Sequence, residues 1–169
     1  MQFAATINRT DLARTTAYIL FRNRVFWFLA ALLYIFLLWG QWHSDQRPTH
    51  WFHVIYFLVL YALIVGAFYL AIIAYFVVVT VFHTATRKGV LGEHTYEIRP
   101  TGFFETTAFT ETLTKWAAIP RVARTSRAII VRQSWWLFHI IPRRAFEDDS
   151  AYNAFFQELQ TRVHSNETA

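Results

Sequence analysis

Seven histidines, eleven acidic and sixteen basic side chains are the groups in this chain that could do chemistry. Three of the histidines fall close together: His43, His50 and His53, with Asp45 among them. Imidazoles at i and i+3 plus a carboxylate are the donor types that hold Zn²⁺ or Cu²⁺. The plainer account, which we prefer, is a row of histidines facing lipid headgroups. His139, between Phe138 and Ile140, reads as a hydrogen-bonded strand histidine and not as a base. Glu105 and Glu111 bracket a Thr-rich stretch with no partner in evidence. There is no Gly-rich phosphate loop, no GxSxG, no HExxH and no matched carboxylate pair. The chain has no cysteine, which excludes a thiolate nucleophile, disulfides and Cys-based metal sites. The expectation is a protein that is not an enzyme, with no catalytic residue, no metal and no cofactor.

The arginines are more telling. Arg121, Arg124, Arg127 and Arg132 fall in adjacent β-like runs and their turns, with Arg143 and Arg144 shortly after. Guanidinium groups bind phosphates and carboxylates bidentately, and each basic residue beside an anionic leaflet adds about 1 kcal/mol. These six are therefore candidate contacts to an anionic lipid or a protein partner. The competing account is a solvated sheet face. Trp135 and Trp136 are adjacent, so on a strand they point to opposite faces, and one of them is a candidate exposed contact. Residues 83–169 carry 11 basic against 9 acidic side chains, too even a balance for a nucleic-acid binder.

The elements that must position these groups begin with a membrane anchor. The run from Trp51 to Phe82 has 32 residues and no Asp, Glu, Lys or Arg. About 20 apolar residues cross a bilayer. A span is therefore expected over about 51–75, with the helix continuing to about 82. That tail, Phe76 to Val81, is too apolar to be wet and should pack on the following domain or the N-terminal segment, unless the helix is strongly tilted. Residues 25–42 are a second charge-free run with Trp27, Trp39 and Trp42 at its ends, where indoles suit the membrane interface. The short polar loop 43–50 makes the two spans antiparallel neighbours. Arg9, Arg14, Arg22 and Arg24 precede the first span and Arg87 and Lys88 follow the second, whereas the loop holds only Arg47, offset by Asp45. The positive-inside rule then places both termini in the cytoplasm of a bacterium and the hairpin in its inner membrane. Overall composition agrees: 55% hydrophobic, 16% charged, mean hydropathy +0.25.

The flanks read as follows. Residues 1–24 give a short strand pattern and an interfacial helix capped by Thr10 or Asp11. From Glu93 the period changes to two, with Tyr96 and Ile98 on one face, and short β-runs follow at 103–107, 110–116, 120–125, 128–132 and 135–141. Tyr152, Phe155, Phe156, Leu159 and Val163 then make one helical stripe after Asp148 or Asp149. The fold class expected is an α+β membrane protein: a two-helix transmembrane hairpin over 25–82, then a small antiparallel-sheet domain over 83–169 closed by a C-terminal helix.

A bent antiparallel sheet closed by one amphipathic helix resembles a pleckstrin-homology-like (PH-like) domain. The run Thr114-Lys115-Trp116-Ala117-Ala118-Ile119 and the block Ile140-Ile141-Pro142-Arg143-Arg144-Ala145-Phe146 resemble the YcxB-like family, bacterial membrane proteins with a two-helix hairpin and a small C-terminal domain. The resemblance covers roughly residues 93–163. It implies a membrane-tethered binding or regulatory module whose partners are the bilayer, a protein and anionic headgroups, and it carries over no catalytic residue. An immunity protein that neutralises a toxin at the membrane is the alternative, and an accessory subunit of a transporter complex the second. Gly66-Ala67 would permit close helix contact in a homo-oligomer.

Overall fold

The structure is a computed structural model that describes residues 2–45, 47–85, 89–134 and 137–167. It is α+β and falls into two compact units, one of Met1–Thr15 with Thr80–Ala169 and one of Thr16–Val79.

The first unit is built on two antiparallel sheets. Strands β1 (Gln2–Ile7), β2 (Gly92–Arg99), β3 (Gly102–Thr107) and β4 (Glu111–Lys115) form one sheet in that order. Strands β5 (Arg121–Arg124), β6 (Ala128–Arg132) and β7 (Phe138–Pro142) form the other. A C-terminal helix, Asp149–Glu167, completes the PH-like layout. Alternation decides which side chains go inside. Along β2, His94, Tyr96 and Ile98 are buried while their neighbours are not, as a period of two requires. Tyr96, Phe103, Trp116, Ile129, Val131 and Ile141 meet Tyr152, Phe155, Leu159 and Val163 from the helix, so the expected stripe is the face that closes the core. Gly102 is forced by proximity: a Cβ there would lie 2.3 Å from the Thr114 carbonyl oxygen.

The sheet domain was expected to begin at residue 83. Instead its unit also takes in residues 1–15. Strand β1 pairs with β2 from Gln2↔Glu97 to Ile7↔Gly92, and Phe3 packs on Phe146 and Phe155 at ring-centroid distances of 4.9 and 4.7 Å. The two apolar helices thus lie between the first and second strands of one sheet in chain order. The start of helix α1 (Arg9–Phe21) also differs from expectation. Asn8, not Thr10 or Asp11, is the capping residue, and it exchanges hydrogen bonds with Asp11: Asn8 N–H to Oδ2 at 3.0 Å, and Asp11 N–H to Asn8 Oδ1 at 3.1 Å. That reciprocal pair satisfies two donors of the first turn.

The second unit holds the end of α1, helix α2 (Arg24–Trp42) and most of helix α3 (Trp51–Ala85). Asn23 breaks α1 from α2 and caps α2 through Oδ1, which accepts from Val25 N–H at 3.0 Å. The α1 terminal carbonyl of Phe21 accepts from Trp27 Nε1 at 2.7 Å and from the Tyr69 hydroxyl at 3.4 Å. Between α2 and α3, Tyr34 donates to the Leu58 carbonyl at 3.1 Å and Tyr61 to Gln41 Oε1 at 2.7 Å. Helix α2 buries no residue, and both helices are long and apolar enough to cross a membrane. A soluble core helix would hide its Phe, Leu and Trp side chains; here Phe36, Trp39, Leu63 and Phe68 are all more than half exposed. Helix α3 has 35 residues. At 1.5 Å each it rises about 52 Å, well beyond a hydrocarbon layer of about 30 Å. In its tail Val81 packs with Ile7, Leu12, Ala128 and Ile140, and Phe76 meets Phe26 at 6.2 Å, whereas Val78 and Val79 stay exposed.

Candidate functional site

The most concentrated chemistry in the sheet unit is a buried carboxylate held by two histidines. Glu105 on β3 points inward because it is in phase with Phe103. His94 on β2 points inward with Tyr96, and His139 on β7 faces them from the other sheet. His94 Nδ1 lies 2.9 Å from Glu105 Oε1 and His139 Nδ1 lies 2.9 Å from Oε2. The side chains are 6%, 15% and 9% exposed for His94, Glu105 and His139. Burial by itself would raise the Glu105 carboxyl, but the hydrogen bonds from His139 and His94 and their charge hold it down at about 2. The ionised carboxylate accepts both Nδ1–H groups. Gln133 Nε2 sits 2.7 Å from His139 Nε2 and donates to Thr114 Oγ1 at 2.6 Å. His94 Nε2 is buried with no partner among the described residues. The nearby Tyr96 phenol donates to the Ile140 carbonyl at 2.9 Å, and burial together with the Glu105 charge pushes its pKa up.

This corrects the reading of Glu105 as a residue without a partner; it has two. His139 is the satisfied strand histidine expected. The set ties β2, β3 and β4 to β7 and to the turn before it, so it fastens one sheet to the other. Among the described residues no three His, Asp or Glu side chains are placed to hold a metal ion. After α2, His43 Nδ1 sits 3.0 Å from the Trp39 carbonyl oxygen, with its ring stacked on that indole. His50 and His53 pack edge to face at 5.9 Å.

The structure separates the six arginines into two groups. Arg143 pairs with Asp149, and its Nη1 donates to the Ser126 carbonyl at 3.2 Å. Arg144 pairs with Asp11 and also donates to the Thr6 carbonyl at 2.5 Å. Arg124 reaches Asn153 and lies over the Phe156 ring, 5.4 Å from its centroid. These three tie the unit to itself. Arg121, Arg127 and Arg132 have no ion pair among the described residues. Arg121 and Arg132 are cross-strand partners on β5 and β6, so both guanidinium groups leave the same face side by side. A depression beside Arg121 is lined by Pro120, Val122, Gln160, Val163 and His164. Trp135 and Trp136, and the flanking Arg87 and Lys88, lie outside the described residues.

Two further positions are structural. Trp116 is buried and its Nε1–H is shared between the Arg99 and Pro100 carbonyls, 3.2 Å from each. Phe146 fills the gap between Phe3, Tyr152 and Phe155. Both stand in the stretches that carried the expected resemblance. Residues 98–159 match the YcxB-like protein family. The YcxB-like segment runs from the end of β2 into the C-terminal helix, so it holds Glu105, His139 and all six arginines, while β1 and His94 lie before it. No curated protein and no solved structure matches the chain.

Proposed function

We propose that the chain is a non-catalytic, membrane-anchored binding protein of the bacterial inner membrane, with both termini cytoplasmic, whose PH-like unit engages an anionic partner through Arg121 and Arg132. The observation that carries this is their direct opposition across β5 and β6. Like charges placed opposite each other on a sheet destabilise it. An anion between them removes the penalty and gains two charge-assisted hydrogen bonds. Strand β5 is the edge of its sheet, so the pair is open to a headgroup phosphate or an acidic side chain. The anchoring half of the reading is supported by the two apolar helices, and its orientation by the basic residues that flank them.

The test is a pull-down of tagged full-length protein from native membranes in mild detergent, wild type beside Arg121→Glu/Arg132→Glu. Arg143 and Arg144 stay untouched because their charges hold the fold. A protein or an anionic lipid lost in the variant supports the reading and says which partner it is. Equal recovery from both baits refutes it. Topology reporters that place loop 43–50 in the cytoplasm would overturn the orientation.

A further inference from the structure

Among the described residues, β4 has one edge unpaired in its sheet. Strand β4 ends its sheet, and its sequence is Glu111-Thr112-Leu113-Thr114-Lys115, with Thr on either side of a central Leu and opposite charges at the ends. Thr107 N–H donates to the Thr110 carbonyl at 2.8 Å, which closes the β3–β4 hairpin. The antiparallel ladder then bonds every second residue. Thr112 and Thr114 therefore turn their backbone groups to β3, and the Thr114 carbonyl is the one that crowds Gly102. Glu111, Leu113 and Lys115 turn theirs outward to the open edge.

We propose that two copies of this chain associate through β4, antiparallel and centred on Leu113. This goes beyond the anionic-partner reading and does not depend on it. In that register Leu113 meets Leu113 of the second copy, and Glu111 meets Lys115 twice, once on each side of the two-fold axis. It is also the register in which all three outward-facing residues find outward-facing partners. A shift by one residue would set their backbone groups against groups already spent on β3. A shift by two would break both charge pairs. The side chains agree with the backbone. Leu113 is 44% exposed and sits opposite Phe104 on the outer face, so pairing makes an apolar row of Phe104, Leu113 and their two counterparts. The contact is isologous and closes on itself. It also covers an edge that would otherwise recruit strands indiscriminately. Confinement of both copies to one membrane raises their effective concentration.

The chain has no native cysteine, so one introduced thiol reads the geometry. Hydrogen-bonded antiparallel partners have Cα atoms about 5.5 Å apart, within disulfide range. The experiment is mild oxidation of native membranes containing full-length Leu113→Cys, Glu111→Cys or a co-expressed mixture of Glu111→Cys and Lys115→Cys. Expected are crosslinked dimers for Leu113→Cys and for the mixture, with little for Glu111→Cys alone. In the Leu113→Cys background, Glu111→Lys should lower the dimer yield about tenfold, because like charges replace opposite ones twice over. Adding Lys115→Glu should restore it. Crosslinking of Leu113→Cys no stronger than that of Glu111→Cys alone overturns the proposal. So does a crosslinked product of the wrong mass, which would mean that a strand from another protein occupies the edge. Failure of the charge swap to rescue the yield overturns the register.

Discussion

Arg144 holds Asp11 side-on: Nη1 lies 2.7 Å from Oδ1 and Nη2 2.5 Å from Oδ2. The two residues come from opposite ends of the chain, and the pair fastens α1 and, through the Thr6 carbonyl, β1 to the turn after β7. Desolvation opposes the ionised Asp11, but the hydrogen bonds from Arg144 and from the Asn8 N–H keep its pKa below the usual value.

Replacing Arg144 by Lys keeps the charge and loses the fork. Because the arginine is half exposed, the expected loss is about 1 kcal/mol, read as a lower melting temperature of the full chain in detergent. The Asp11 contribution is present above the ordinary carboxylate range and fades as acid protonates it. Arg144→Lys should therefore match wild type more closely at pH 3 than at pH 7.

Glu105 sets the acid limit of the sheet unit. Its folded pKa of about 2 is below the ordinary glutamate value of 4.5, so its contribution is complete above about 4.5 and lost as pH falls toward 2. The shift corresponds to about 3 kcal/mol at neutral pH. Acid titration followed by Trp fluorescence should show an unfolding step in that window. Glu105→Gln should be less stable at pH 7 by about 2 kcal/mol and should lack the step.

Gly102→Ala tests the close approach of β3 and β4. The added methyl would overlap the Thr114 carbonyl, and a backbone atom cannot step aside. A loss of about 2 kcal/mol is expected, measured by thermal unfolding. An unchanged melting temperature would show that the two strands can separate without cost.

Arg121→Gln separates stability from binding. If the pair serves a ligand, removing one like charge should raise stability by about 0.5 kcal/mol while the anionic partner is lost in the pull-down. Greater stability with undiminished binding would assign the pair no role.

Much of this architecture is legible in the chain. The charge-free runs give α2 and α3, a period of two gives β2 with His94, Tyr96 and Ile98 on its inner face, and the stripe from Tyr152 to Val163 gives the closing helix. What sequence does not reveal is long-range pairing. Glu105 and His139 are 34 residues apart, and no local pattern says that two sheets bring them together, although the phase of Glu105 with Phe103 marks it as inward. Strand β1 is visible as an alternation, but its partner comes some ninety residues later. Thr10 and Asp11 look like the cap in sequence, but Asp11 takes the place that Glu or Gln has in a capping box opened by Asn8. Charge alone could not sort the arginines, since Arg143 and Arg144 differ from Arg121 only by carboxylates that folding brings to them.

The position of β1 ahead of both apolar helices governs how the molecule can be made. This strand is made before the rest of its sheet, and its partner β2 is translated only after α2 and α3. At about 5–20 residues per second, β1 waits several seconds with an unpaired edge. Synthesis of both apolar helices therefore precedes completion of the sheet. A chain interrupted before β2 would leave β1 without its partner, so this order of synthesis makes the first strand of the sheet hostage to the helices that follow it.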